Sequence, residues 1–307
     1  MLNWVYIAGR GHSGSTVLDA MLGNAPAIES VGELVSGMGR YDEKCSCGET
    51  FRECEYWSRV RSRFEELSGA SWDDAVAASK GQAHLTKFPK TLIATMRKRW
   101  VRTLVDYTRH IGEAVAGAEH EVVVDSSKEI TRALFLLRFV PGTKVIHLLR
   151  HPSSILESDY YRLKGGTGFK FLRKHFAPKR WFGPFLFMSV VSWILGNLLS
   201  DLVRLFGKER FLRVKYERLV EAPLEEFDRM ELFLGVSLDE VKTRVREGKP
   251  LTIGHNIGGN HMRFSGEFVF DPKKSRRKGL PKLYYALVGL MCWPQLLAYG
   301  YFFRKRR

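Results

Sequence analysis

The stretch YIAGRGHSGSTVLDAML, from Tyr6 to Leu22, holds residues whose spacing suits phosphate chemistry. Gly9, Gly11 and Gly14 fit G-x-G-x-x-G, the spacing that lets a backbone approach a dinucleotide pyrophosphate. Gly9, Gly14, Ser15 and Thr16 fit G-x-x-x-x-G-K-[ST], except that Ser15 stands at the lysine position. The first pattern needs a second strand ending in an acid about 20 positions on, to hold ribose hydroxyls. Glu29 and Glu33 lie near that distance, but NAPAIESVGEL contains a proline and no convincing apolar run, so no strand is expected there. The second pattern needs the lysine and an acidic magnesium ligand. Asp125, ending VVVD, supplies the acid, and the lysine is missing. What survives is narrower: helix-terminal N–H groups of Arg10–Thr16 with the hydroxyls of Ser13, Ser15 and Thr16, cradling an anion without magnesium.

A second anion-binding pattern lies downstream, in VIHLLRHPSSILES. A strand delivers Arg150 to its carboxyl end, His151-Pro152 turns the chain, and a helix presents Ser158. Ligands of open parallel sheets collect outside the carboxyl ends of the strands, so Arg150 and Ser158 are expected to face the same crevice as the glycine loop. Two separated anion sites fit a nucleotide phosphorylated at both ends.

A third cluster, CSCGETFRECEYW, sets Cys45, Cys47 and Cys54 close together. Three thiolates suit zinc, yet no fourth ligand has sound spacing, and a disulfide or plain buried thiols are equally available. No metal is therefore assigned. With Cys292 the chain has four cysteines, too few for a disulfide framework in 307 residues.

The elements that must position these groups read as one α/β domain over residues 1–307. WVYIAG is a strand, and STVLDAML a helix ending near Gly23. Residues 39–117 form a mostly helical insertion. HEVVVDSS and TKVIHLLR are strands joined by the helical EITRALFLLRFV, a βαβ unit with apolar strands of the buried parallel kind. An apolar helix surrounds Trp193, the strand RFLRVKYERL follows, and a helix ends at FLGV.

Composition bounds the partners. Hydrophobic residues make up 45% and the formal charge is +16, which favours anionic ligands or a lipid surface. Basic residues are spread along the chain, so nucleic acid is not expected as a partner. The amino terminus lacks the pattern of a secretory signal, and a cytoplasmic location is expected. FGPFLFMSVVSWILGNLLS and the carboxy-terminal segment 283–303 lack charges and approach the roughly 20 residues that span a bilayer. Buried helices are the favoured reading, with peripheral membrane contact by the second as the alternative.

Four pieces of this sequence, in order, resemble the sulfotransferases that use 3'-phosphoadenosine 5'-phosphosulfate. GHSGSTVLDAML resembles their 5'-phosphosulfate loop, which assigns Arg10, Gly11, His12, Ser13, Gly14, Ser15 and Thr16 to that group. VVVDSSKEITRALFLLRFVPGTKVIHLLRHPSSILES resembles the central segment, with Arg150 and Ser158 matching the 3'-phosphate ligands. VKYERLVEAP and FLGV resemble the tyrosine-glutamate segment and its helix. GHNIGGNHMRF resembles a loop of bacterial-type members, where Asn260 and Arg263 would close over the donor. SVGEL resembles the Gly-Glu of the tyrosylprotein branch and makes Glu33 the candidate base. Sulfuryl transfer chemistry adds two candidates: His12, to hydrogen-bond the transferring group or the leaving oxygen, and Lys128, at the crevice end of its strand, to neutralise charge on the phosphosulfate. The chain departs from the family in having His12 before Ser-Gly, and Ser126 where a lysine is common. The implied fold is a P-loop-like parallel sheet flanked by helices, with helical insertions. The implied acceptor is a hydroxyl of a carbohydrate, lipid headgroup or small alcohol, with no metal required. A kinase or NTPase with a degenerate loop, and a non-catalytic basic membrane-surface protein, are the alternatives.

Overall fold

Strand β1 (Asn3–Gly9) lies at the centre of a five-stranded sheet because its residues Trp4 to Ala8 are apolar on both faces. The computed structural model describes residues 2–164, 182–271 and 279–301. Beside β1 run β3 (Val122–Lys128) and β4 (Lys144–Leu149), with β2 (Ile28–Ser30) outside β3 and β5 (Phe211–Lys215) outside β4. The order is β2-β3-β1-β4-β5 and every pair is parallel. The chain leaves β3 through α7 (Ile130–Phe139), crosses β1 and returns as β4. The expected α/β class, with a parallel sheet between helical layers, is what the chain adopts.

One face of the sheet packs on α1 (Ser15–Leu22) and α11 (Pro223–Leu234), through Leu18, Met21, Leu22, Phe227 and Met230. The other packs on α7 and on the helical insertion, α2 (Leu34–Gly37), α3 (Glu55–Ser68), α4 (Trp72–Ala83), α5 (Phe88–Leu92) and α6 (Arg99–Ala116). Helix α6 buries Val101, Leu104, Ile111 and Val115 at helical spacing and leaves its arginines solvated, which accounts for its mixture of basic and aromatic residues.

Two expectations need correction. NAPAIESVGEL does contain a strand: β2 pairs Ile28 and Ser30 with Val122 and Val124 of β3. Three residues on a sheet edge are too short for a period-2 signal, and tertiary pairing alone makes them a strand. Strand β5 ends at Lys215, and Tyr216 begins a short helix, α10 (Tyr216–Glu221), so the run RFLRVKYERL is half strand and half helix.

Both apolar segments are helices, α9 (Phe182–Arg204) and α13 (Lys282–Ala298), the latter ending before Phe302 and Phe303, which lie outside the described residues. They meet each other and α8 (Pro152–Lys164) through Leu186, Val190, Trp193, Val288 and Cys292. Their outer faces stay open: Leu290 of α13 is 77% exposed, and Phe187, Met188, Leu195, Leu283 and Trp293 are exposed as well. Full burial, the favoured expectation, holds for only one face of each. Helix α9 has the length and hydropathy of a membrane span, with 39% of that window buried.

Candidate active site

The glycine loop joins β1 to α1, and its shape follows from three residues. Gly14 caps α1 with φ +96°, a left-handed conformation that suits glycine. A Cβ there would sit 2.3 Å from the Tyr216 ring, so the position excludes any side chain. His12, at φ +68°, carries the turn between them. Ser13 is fully buried, and its Oγ has no hydrogen-bond partner. A buried unpaired hydroxyl is costly unless a ligand completes it, and here it lies beside the N-terminus of a helix with no acid in its first turn. Gly11 faces open space. These features fit an anionic group.

The arginine expected at the end of β4 does reach the loop. Arg150 donates from Nη1 to the His12 carbonyl at 2.7 Å, and its guanidinium lies 4.4 Å over the Tyr216 ring. Its own carbonyl accepts from Trp193 Nε1 at 3.0 Å, which anchors the strand end to α9. Ser158 lies on α8, next to Asp159. That buried carboxylate receives Arg10 Nη2 at 3.2 Å and stands 3.5 Å from His12 Nε2. The His12 ring is thus turned toward Asp159, and Arg10 also donates to Ser189 and Ser192 of α9.

Glu33 and Lys128, 95 residues apart, form an ion pair over the carboxyl ends of β2 and β3. Lys128 is held at φ +78° at the end of β3. The Glu33 backbone N–H donates to Ile257 O at 2.7 Å, and Ser36 Oγ donates to its carboxylate at 3.3 Å. Both side chains line a cavity of about 340 Å3 together with Arg10, Gly11, Glu129, His147, Trp193 and Asn197. A larger cavity of about 640 Å3, against Leu2 and Glu121, lies at the amino ends of the strands and has no phosphate-binding pattern. The smaller cavity is the candidate active site.

Other expected residues serve the walls. Arg263, proposed to close over a donor, is buried, donates to Glu43 at 2.8 Å and to the Gly259 carbonyl at 3.0 Å, and so ties its loop to the insertion. The Asn260 side chain caps the short helix at Met262, while its backbone N–H donates to Thr16 Oγ1 at 3.3 Å. Asp125 accepts from the Ser127 backbone at 2.9 Å inside the core.

Glu129, His147 and Asp159 carry no local motif, and sequence reasoning missed them, while Tyr216 was reached only as part of the tyrosine-glutamate segment VKYERLVEAP. Burial, with Arg213 adding, pushes His147 down to about 3, so it stays neutral and is a poor base. Burial pushes Glu129 up to about 7, opposed by its own backbone N–H and reinforced by Asp125 and Glu33. Its ordinary value is 4.5, so between that and about 7 the folded chain holds a proton that the unfolded chain has released. Stability from this group is complete below the lower value and lost as pH rises through the upper one. Glu129→Gln, which keeps the neutral form and can still accept from Tyr6, is expected to gain on the order of 2 kcal/mol at about pH 8 and little at about pH 4. Urea denaturation at both values checks this, and an equal effect at both would refute it.

A parallel sheet, a lysine-free glycine loop and an arginine at the neighbouring strand end define an α/β protein of the phosphate-loop class. The chain belongs to the Sulfotransferase family, whose pattern matches residues 5–240. It is similar to human Sulfotransferase 2A1, with 25% identity over 222 residues, covering 69% of this chain and 72% of that relative. Among solved structures, the sulfotransferase domain of the Synechococcus PCC 7002 olefin synthase covers 94% of this chain and 93% of its own, at 21% identity and a TM-score of 0.49. Sulfotransferase STF1 of Mycobacterium tuberculosis H37Rv covers 90% and 75%, at 13% identity and a TM-score of 0.46.

Proposed function

We propose that the protein moves a sulfuryl group from 3'-phosphoadenosine 5'-phosphosulfate to an acceptor hydroxyl, with no metal in the reaction. The observation that carries this reading is Arg150 bonded to the glycine loop at His12, with the Glu33–Lys128 pair lining a cavity beside that loop. On this reading Ser13–Thr16 hold the 5' end of the donor, and Arg150 with Ser158 holds the 3'-phosphate. The bound donor supplies the sulfuryl group and departs as adenosine 3',5'-bisphosphate. Glu33 takes the acceptor's hydroxyl proton, and the Lys128 ammonium offsets negative charge that gathers beside it. Lys128 also orients the carboxylate it grips, while Arg10 and the Ser192 hydroxyl line the same wall.

The acceptor is best matched by a hydroxyl on an apolar, membrane-associated molecule. A second cavity of about 360 Å3 shares Glu129, Ile130, Ser192 and Gly196 with the first, and is otherwise lined by residues such as Leu85, Met188, Val191, Leu195 and Leu199. Met188 and Leu195 are also exposed on α9, so the apolar lining runs from the carboxylates to an open hydrophobic face. With a charge of +16, that face suits peripheral contact with an anionic lipid surface at the cytoplasmic side.

Calorimetric titration with adenosine 3',5'-bisphosphate without magnesium, beside NAD and beside ATP with and without magnesium, tests the donor. Binding of the bisphosphate alone is expected. A preference for ATP with magnesium would instead favour the kinase alternative.

A further inference from the structure

Three thiols lie within ten residues of the insertion, and the fold brings a fourth ligand from the far end of the domain. Cys54 Sγ stands 3.3 Å from His255 Nδ1, and Cys45 Sγ stands 3.8 Å from the same nitrogen. Cys47 Sγ is 3.6 Å from Cys54 Sγ. All four ligand atoms lie within 4.8 Å of one another. A tetrahedral zinc ion with ordinary zinc–sulfur and zinc–nitrogen bonds separates its sulfurs by about 3.8 Å and sulfur from nitrogen by about 3.5 Å. The sulfur–nitrogen spacings bracket their edge, and the Cys47–Cys54 spacing falls just short of its own. We propose that Cys45, Cys47, Cys54 and His255 form a structural Cys3His zinc site.

The backbone around the cluster is built like a metal knuckle. Lys44 and Thr50 pair as an antiparallel bridge, Cys45 N–H donates to Glu49 O at 2.8 Å, and Gly48 N–H donates back to Cys45 O at 3.0 Å. Gly48 has φ +100°, which the tight return between Cys47 and Glu49 requires. Backbone N–H groups of Cys47 and Trp57 donate to the Cys45 and Cys54 sulfurs. N–H groups aimed at sulfur are the usual support of cation-bound thiolates. His255 presents Nδ1 to the Cys45 and Cys54 sulfurs. Its ring stacks on Tyr56 with centroids 4.7 Å apart, and its carbonyl accepts from Trp57 Nε1 at 2.8 Å. On binding, three thiol protons leave and one divalent cation enters, so the site carries a single net negative charge.

Such an ion would act as a staple behind the active site. Two residues past His255, Ile257 donates to Val31 O at 3.1 Å and accepts from Glu33 N at 2.7 Å. Gly258 and Gly259 then press on Glu33: a Cβ on Gly258 would stand 2.8 Å from Glu33 Cβ. Metal bonds across 201 residues of sequence would close a long loop and lock the insertion to the segment that carries the carboxylate. A Cys47–Cys54 disulfide is the rival arrangement, and it would leave Cys45 and His255 without a task. The zinc site does not rest on the donor or acceptor proposed above.

The test is metal content of the full chain, prepared reduced and without a histidine tag, by plasma mass spectrometry. One zinc per chain is expected, with cobalt replacement giving the visible bands and sulfur charge transfer of a tetrahedral thiolate site. Cys47→Ser, at the exposed ligand, and His255→Gln are each expected to release zinc at least about 10-fold faster to a chelator. Cys292→Ser, at the cysteine outside the cluster, is expected to keep full loading. Folded chain that holds no zinc and takes none up, zinc retained equally in both ligand variants, or a Cys47–Cys54 disulfide in the freshly isolated protein would each overturn the proposal.

Discussion

Arg150→Ala is expected to weaken binding of adenosine 3',5'-bisphosphate by about 100-fold or more, with the chain still folded. Charge-assisted hydrogen bonds contribute about 1.5–3 kcal/mol each, and an arginine fork offers two to a phosphate, so roughly 3 kcal/mol is at stake. Each 1.4 kcal/mol is a tenfold change in affinity, which gives the figure above. The same guanidinium props the glycine loop through the His12 carbonyl and covers Tyr216, so alanine removes a support as well as a ligand. Arg150→Lys separates the two effects. Lysine keeps the charge and can still reach a carbonyl, but it lacks the planar fork. It should recover loop stability in thermal unfolding and only part of the affinity. Titration calorimetry of the three proteins decides the matter. Unchanged affinity in the alanine variant would move the phosphate site away from the end of β4.

The sequence made the sheet's interior legible because β1, β3 and β4 are buried on both faces and each carries a short apolar run, WVYIA, VVV and VIHLL. At the edges that signal fails. Strand β2 has three residues, one of them Glu29, and becomes a strand only because Val122 and Val124 of β3 offer it partners. The end of β5 is blurred for a related reason: Tyr216 has strand propensity, yet its ring is needed between Gly14 and Arg150, and a helix starts there. Local spacing exposed the glycine loop and the strand-end arginine, since both depend on neighbours within one turn. Glu33 was reached only through family resemblance, because nothing in SVGEL marks a base. Its meeting with Lys128 is made by the β2–β3 pairing, which was not anticipated. Arg263 shows the converse. An arginine in a glycine-rich loop looks ready for a ligand, and its true partner, Glu43, sits 220 residues away.

Glu33→Gln is expected to lower kcat by roughly 100- to 10,000-fold, the usual contribution of a general base, while donor-product binding stays within about threefold. Glutamine preserves the shape that the wall requires. The Ser36 hydroxyl can still donate to its side-chain oxygen, and the backbone bond to Ile257 does not involve the side chain. A glutamate that only shaped the wall would therefore tolerate this change. Lys128→Met should also reduce kcat, and the two losses should not add. Each variant breaks the same ion pair, and residues in direct contact are coupled. Glu129 supplies the control, because it lines the same cavity and its neutral form is favoured by burial. If the neutral form is the working one, Glu129→Gln should cost little in kcat. Measured against whichever hydroxyl acceptor supports turnover, a loss in Glu129→Gln that matches or exceeds the loss in Glu33→Gln would transfer the base to Glu129. That outcome would leave Glu33 as the carboxylate that keeps Lys128 in place.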